Sequence, residues 1–514
     1  MSSTPTPTLR LAISLIALCA AAAARGAVTL APPFTAHMVL QRDVPIPIFG
    51  TAAPAETVTV TFAGESAATQ ARANGQWRLD LPALPASSES RTLTVTASAS
   101  PGPVSLDDVL VGEVWLASGQ SNMDFTVSKK VKYFAGVANE EAEIAAASHP
   151  LIRMFTGAPV RALEPQAALP GEWLVCSPQT VPAFSAVAYL FARDLQDRLH
   201  VPVGILTLAY GASTAEAWIG RPALLADPDL KPMVERFDDR VKAFRSLPPA
   251  PAAESRSEDV NAAPPKKKSG PKDPVQDQHN PTVLFNGMIA PIVPYAIRGF
   301  IWYQGESVVG GAAGRALYPK VQATLVTEWR QLWQQENLPF YIVQLAGQDA
   351  GSNNPWIREA QATILQLPRT GMAVAADIGE AKNVHPKNKQ DVADRLSRIA
   401  LAQAYGLPIE SSGPVYQSFA IEGATIRLRF SHVAGGLVAK GGPLMCFSVA
   451  GTDHAFVPAK ADISGETVVV SAPGITSPVA VRYAWVNYPN GCNLFNQAGL
   501  PAAPFRTDTW APEP

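Results

Sequence analysis

The segment Gly119-Gln120-Ser121-Asn122-Met123 places a serine just past an apolar run, Val111 to Ala117. In an open α/β sheet, groups that act on a ligand gather beyond the carboxyl ends of the strands, and Gly119 permits the sharp turn that would expose Ser121 as a nucleophile. Acyl transfer through a serine hydroxyl also needs a base and donors for the oxyanion that develops on the substrate. Two further strand ends offer such donors. Tyr210-Gly211-Ala212-Ser213-Thr214 follows the apolar run Val203 to Leu208, and a glycine there lets a backbone N–H approach a ligand closely. Trp302-Tyr303-Gln304-Gly305-Glu306-Ser307 carries an amide, Gln304, able to donate to an oxyanion. Glu306 fits an orienting role better than a chemical one, since an anion beside an oxyanion opposes the reaction.

Seven histidines are available as the base. His37, His149, His200, His279, His432 and His454 sit in β-like, loop or helix-end contexts without a companion motif and read as structural. His385 follows the apolar stretch Met372 to Asp377 and precedes Pro386 and a helical pattern, which places it on a loop at the same sheet edge as Ser121, Gly211 and Gln304. It could take the serine proton and return it to the leaving alcohol. The group that holds the imidazole is Asp377, Glu380 or a backbone carbonyl. Asp377 is preferred, because a strand-end residue is held more rigidly than a loop residue. Gln120, Asn122, Glu306 and Glu380 are further candidates for orienting the site or binding substrate.

These positions require a framework. A chain of 514 residues corresponds to roughly three domains at ~150 residues each. The formal charge of −2 and the hydrophobic content of 47% describe a globular protein without the basic excess of a nucleic-acid binder. Residues 1–27 read as an export signal: Arg10 precedes an uncharged stretch from Leu11 to Ala24, too short to span a bilayer readily, with cleavage after Ala24 or Gly26. The mature chain is therefore expected in the periplasm or outside the cell, with no membrane span after cleavage. In such an oxidising compartment Cys446 and Cys492 are the expected couple, with Cys176 left over.

Residues 28–105 alternate with period two, as in Thr57 to Phe62 and Thr92 to Thr96, and predict a small β-sandwich. In residues 106–407, apolar strands alternate with helical stretches, the pattern of a parallel α/β domain, closed by a helix from Asp391 to Ala404. Residues 246–280, rich in Pro, Ala, Ser and charge, interrupt it as a mobile insertion. Residues 408–514 return to the β period, as a second β-domain or as part of one shared with the N-terminal strands.

Gly119 to Met123, Trp302 to Ser307 and His385-Pro386-Lys387-Asn388-Lys389 together resemble the sialate O-acetylesterase-like carbohydrate esterases of the SGNH hydrolase superfamily. Met38 to Arg42, Phe285 to Ile289, Val481 to Trp485 and Pro504 to Asp508 extend the likeness over nearly the whole mature chain. The resemblance implies a flavodoxin-like three-layer α/β/α catalytic domain with flanking β-rich domains, removing O-acetyl groups from sugars without metal or other cofactor. It implies Ser121 as nucleophile, His385 as general base, and the Ser121 N–H, Gly211 and Gln304 as the oxyanion hole. The chain departs from the superfamily at Lys382, where an acid usually stands three residues before the histidine. Gln304 stands for the usual oxyanion asparagine, as in this branch, and Val308 occupies a position where relatives often carry asparagine. The substrate would be an O-acetylated sialic acid or a plant cell-wall polysaccharide such as xylan or xyloglucan. A lipid esterase of the same superfamily and a non-catalytic carbohydrate-binding protein are the alternatives. No Gly-x-Ser-x-Gly occurs, which argues against an α/β-hydrolase.

Overall fold

A computed structural model describes residues 27–98, 100–248, 271–308, 311–349 and 354–511. Residues 1–26 of the expected export signal lie outside the described residues, as do residues 249–270 of the expected insertion. The remainder of that insertion is anchored: Asn280 is buried and donates to the Pro274 carbonyl at 2.6 Å, so the chain from about residue 271 belongs to the folded body.

The site is carried by a sheet built from β1 (Val104–Gly119), β2 (His149–Thr156), β3 (Trp173–Cys176), β4 (Val203–Ala209), β5 (Gly299–Tyr303), β6 (Phe340–Val343) and β7 (Thr370–Ala373). Their order is β3-β2-β4-β1-β5-β6-β7. All neighbours run parallel except the edge strand β3. The chain fills one side of β1 first, then crosses to the other, which opens a crevice at the carboxyl end of β1.

Alternate residues of β1 face opposite cores. Val114 and Leu116 pack with Val234 and Phe237 of α2 (Lys231–Arg245) and with Leu325 and Trp329 of α3 (Gly311–Leu332). Trp115 and Ala117 pack with Phe191 of α1 (Ala186–Leu199) and with Val392 and Leu396 of α5 (Lys389–Gln403). Burial on both faces is why the strand reads as a continuous apolar run rather than an alternating one.

The boundary expected at residues 105 and 106 falls inside β1. This 16-residue strand first pairs antiparallel with Ser87–Ala97 and parallel with Val39–Gln41, then runs on as the central strand of the parallel sheet. The N-terminal β-structure is thus joined to the parallel sheet by continuous backbone. The C-terminal strands form sheets of their own, one of them from Val415–Glu422, Thr425–Ser431, Lys460–Ser464 and Thr467–Ser471. No sheet among the described residues joins them to the N-terminal strands. They dock on the α/β domain through Arg358 of α4 (Asn354–Ala362), whose buried guanidinium donates to the carbonyls of Leu345, Ala346, Val486 and Asn487.

Cys176, Cys446 and Cys492 are free thiols, so the expected Cys446–Cys492 couple is not formed. Cys446 Sγ instead donates to the Asn490 carbonyl at 3.4 Å. No helix among the described residues is long and apolar enough to cross a membrane.

Candidate active site

Strand register sets the site. Gly119 lies abreast of Ala209 on one side and Tyr303 on the other, so Ser121, Gly211 and Gln304 leave the sheet at one edge. Gly119 has φ +137°, and a Cβ there would lie 2.2 Å from the Tyr303 carbonyl oxygen. Only glycine lets the turn close against β5. Backbone bonds then fasten it on both sides: Gln120 N–H donates to Tyr303 O and Tyr210 N–H to Gly119 O, each at 3.0 Å.

His385 Nε2 lies 2.8 Å from Ser121 Oγ. The Phe134 ring packs on the imidazole with centroids 4.7 Å apart. Burial, and after it the charge of Lys389, hold the imidazole down at about 4. Above that pH it is neutral, the form that can accept a proton.

Asp377 does not hold the histidine. β7 ends at Ala373, and Asp377 lies in a single helical turn, Ala376–Ile378, so the rigid strand-end position expected for it does not exist. Both of its carboxylate oxygens accept from the Arg395 guanidinium at 2.7 Å. No hydrogen bond to His385 Nδ1 is found among the described residues. Glu380 acts on the loop rather than the ring: it accepts from Lys387 N–H at 2.8 Å and from Asn383 Nδ2 at 3.0 Å. Asn383 in turn donates to His385 O at 2.8 Å and accepts from His385 N–H at 3.0 Å. Asn383 was not visible as a site residue in the sequence, although an Asx residue two positions before a histidine is a common way to lock a loop.

The expected oxyanion donors separate into two kinds. The N–H groups of Ser121 and Gly211 meet no protein acceptor among the described residues. A Cβ built on Gly211 would meet only Ser121 Cβ, at 3.8 Å. Gln304 is 0% exposed; its Nε2 donates to Ser213 O at 3.1 Å and its Oε1 accepts from Tyr318 at 2.8 Å. It supports the Gly211 loop from below instead of standing open beside Ser121, because burial obliges its amide to find protein partners.

Asn122 and Gln120 are buried, so both belong to the scaffold rather than to a substrate surface. Asn122 Nδ2 donates to the Val384 carbonyl at 2.9 Å and to Glu306 Oε1. Its Oδ1 accepts from Lys389 Nζ at 2.6 Å. Burial raises the Glu306 carboxyl above the usual range, opposed by the Asn122 bond and by Lys389. Glu306 is thus placed against Asn122 beneath the nucleophile turn and not beside Ser121 Oγ. The same burial pushes Lys389 down to about 7. Lys389 is the residue that sequence reasoning passed over. Its signal was a lysine in register with the apolar stripe Val392, Ala393 and Leu396 of α5. Among the described residues no group of three or more His, Cys, Asp or Glu side chains is gathered as a metal cluster.

Comparison with known proteins identifies the family. The model of the family described as carbohydrate esterase, sialic acid-specific acetylesterase, matches residues 278–402. The crystal structure of a carbohydrate acetylesterase from Xanthomonas citri is 34% identical, with a TM-score of 0.79, over 94% of this chain and 100% of that one. Sialate O-acetylesterase of Rattus norvegicus is 29% identical over 91% of this chain and 92% of its own length. That of Homo sapiens is 27% identical over 77% and 75%. The chain belongs to the sialate O-acetylesterase-like carbohydrate esterases and is a carboxylic ester hydrolase.

Proposed function

We propose that the protein is an exported serine O-acetylesterase of sugars, working through an acetyl-serine intermediate on the SGNH type of three-layer domain with flanking β-domains. The observation that carries this reading is the 2.8 Å contact between Ser121 Oγ and His385 Nε2, set beside two N–H groups without protein acceptors among the described residues. His385 takes the Ser121 proton as Oγ attacks the acetyl carbonyl. The carbonyl oxygen becomes an oxyanion, held by the Ser121 and Gly211 N–H groups. When the C–O bond to the sugar breaks, His385 returns the proton to the departing hydroxyl. Water then enters, loses a proton to His385, attacks the acetyl-serine carbonyl and releases acetate, restoring Ser121.

The site works as a dyad, with the imidazole held by its backbone, by Asn383 and by the Phe134 ring instead of by a carboxylate. The sugar is a sialic acid or an acetylated plant cell-wall polysaccharide, two substrates that the same machinery serves. Neither a lipid esterase nor a non-catalytic sugar-binding protein has an observation in its favour.

The test is acetate release from O-acetyl sialic acid, acetylated xylan and acetylated xyloglucan, with Ser121→Ala as the control. Wild type should release acetate from one of the three, with a burst on an activated acetyl ester. Ser121→Ala should lose the burst and at least about 10⁴-fold in kcat. Full turnover in that variant would remove the serine mechanism.

A further inference from the structure

Beneath the nucleophile turn lies a lysine that no hydrolytic step uses. Lys389 opens α5 behind the N-cap residue Asn388, and its side chain is 0% exposed. Its ammonium faces the rings of Phe125 at 4.5 Å and Tyr303 at 5.4 Å, and its hydrogen bond goes to Asn122 Oδ1. A buried ammonium is costly, and one that is retained needs a partner that offsets its desolvation.

Asn122 directly follows Ser121, and Val384, whose carbonyl accepts from Asn122 Nδ2, directly precedes His385. One buried amide therefore spans the two loops that carry the reacting pair. An amide has a donor end and an acceptor end, and its two orientations differ only in which end faces which partner. Lys389 offers donors only, while Glu306 and the Val384 carbonyl offer acceptors, so a single orientation satisfies all three. The clamp is held closed from the lysine side.

We propose that Lys389 is a positioning residue, whose ammonium fixes the Asn122 amide and so locks the nucleophile turn to the histidine loop with Ser121 Oγ and His385 Nε2 in register. This rests on reading Ser121 and His385 as the reacting pair. The position has an electrostatic consequence as well. Charged and titratable groups around His385 are Glu380, Lys382 and Lys387 on its own loop, Glu306 at the end of β5, Asp124 with its partner Lys132 beyond the nucleophile turn, and Lys389 on α5. After burial, Lys389 is the charge that keeps the imidazole unprotonated in acid.

The test is a double-mutant cycle on the mature protein, with Lys389→Met, Asn122→Ala and the pair, assayed on 4-nitrophenyl acetate across pH. Misplacement of reacting groups by about 1 Å costs on the order of 10²-fold. Lys389→Met is expected to lose about that in kcat with KM within twofold, and Lys389→Arg, which keeps the charge and the donors, to regain part of it. The pair should be no worse than the poorer single variant, because both act through one clamp. In Lys389→Met the acid limb of kcat/KM should move up from about 4 toward the ordinary histidine range, stopping short of it because burial remains. Should Lys389→Met fail to fold, Asn122→Ala alone reads the clamp by the same loss in kcat. A Lys389→Met kcat within threefold of wild type, an unmoved acid limb, or losses that multiply in the pair would overturn the proposal. Turnover by Ser121→Ala would overturn the serine reading itself, a separate result.

Discussion

The turn after β1 and the loop before α5 bring Ser121 and His385 together, and they are held by main chain and side chains in different proportions. The serine turn is fastened by backbone: Gly119 closes against Tyr303, and main-chain bonds reach β5 on one side and the Tyr210 turn after β4 on the other. The histidine loop adds side chains to its main-chain bonds at Glu380, Ala381 and Lys387: Asn383 brackets His385, Glu380 ties Asn383 to Lys387, and Asn122 reaches over from the serine turn. A turn built from main chain depends on one residue having no side chain. A loop built from side chains depends on several residues each having the right one, and loses its geometry in parts.

The contrast predicts how each half fails. Gly119→Ala should be the most severe change: a methyl group 2.2 Å from a carbonyl oxygen, at a φ that side chains avoid, must displace β5 or the turn. A loss of about 4 kcal/mol or more in unfolding free energy by urea denaturation is expected, with activity lost alongside it. A stability within about 1 kcal/mol of wild type would mean that the turn is not locked against β5 at all.

Asp377→Asn should come next, at about 3 kcal/mol, because it takes from the buried Arg395 guanidinium its bidentate anion and leaves only the more distant Asp391 carboxylate, at 3.9 Å. Its acid limb in kcat/KM should nonetheless stay near about 4, since the carboxylate does not touch His385. A limb displaced by this substitution would restore Asp377 to the site.

Asn383→Ala should have the smallest effect of the three. It removes the bracket on His385 while Asn122 and Phe134 still hold the loop, so folding stability should change little and kcat should fall about tenfold, roughly 1.4 kcal/mol of barrier. Equal losses from Asn383→Ala and Gly119→Ala would erase the difference between the two loops.

The legibility of the site divides along similar lines. Ser121, Gly211 and His385 could be read because each sits close to a pattern that local physics writes plainly, an apolar strand end or the start of an amphipathic helix. Gln304 was placed at the correct edge, and in the structure its amide turns inward to Ser213 and Tyr318. Which way an amide points depends on partners about 90 residues away in sequence (Ser213) and in the following helix (Tyr318), and neither shares a motif with it. Asp377 failed for a related reason. The run Met372 to Asp377 is apolar enough for strand, but pairing with β6 ends at Ala373, and Arg395 then claims the carboxylate. Lys389 was quoted in the histidine motif but given no role, because a lysine is ordinarily a surface residue, and only the packed structure shows this one enclosed by Phe125, Tyr303 and Asn122.

By itself, then, the order of residues determined the alternation of buried strands and amphipathic helices, the glycine that permits the serine turn, and the edge at which the chemistry gathers. These are short-range matters of backbone sterics and hydrophobic period. Tertiary structure alone decided that β1 would run unbroken from the N-terminal β-structure into the catalytic sheet. It decided too that the histidine would have no carboxylate partner among the described residues, and that a buried lysine would donate to the amide between the two loops. Those outcomes are choices among hydrogen-bond partners far apart in the chain, and burial settles them by imposing a full desolvation penalty on every polar group left unpaired.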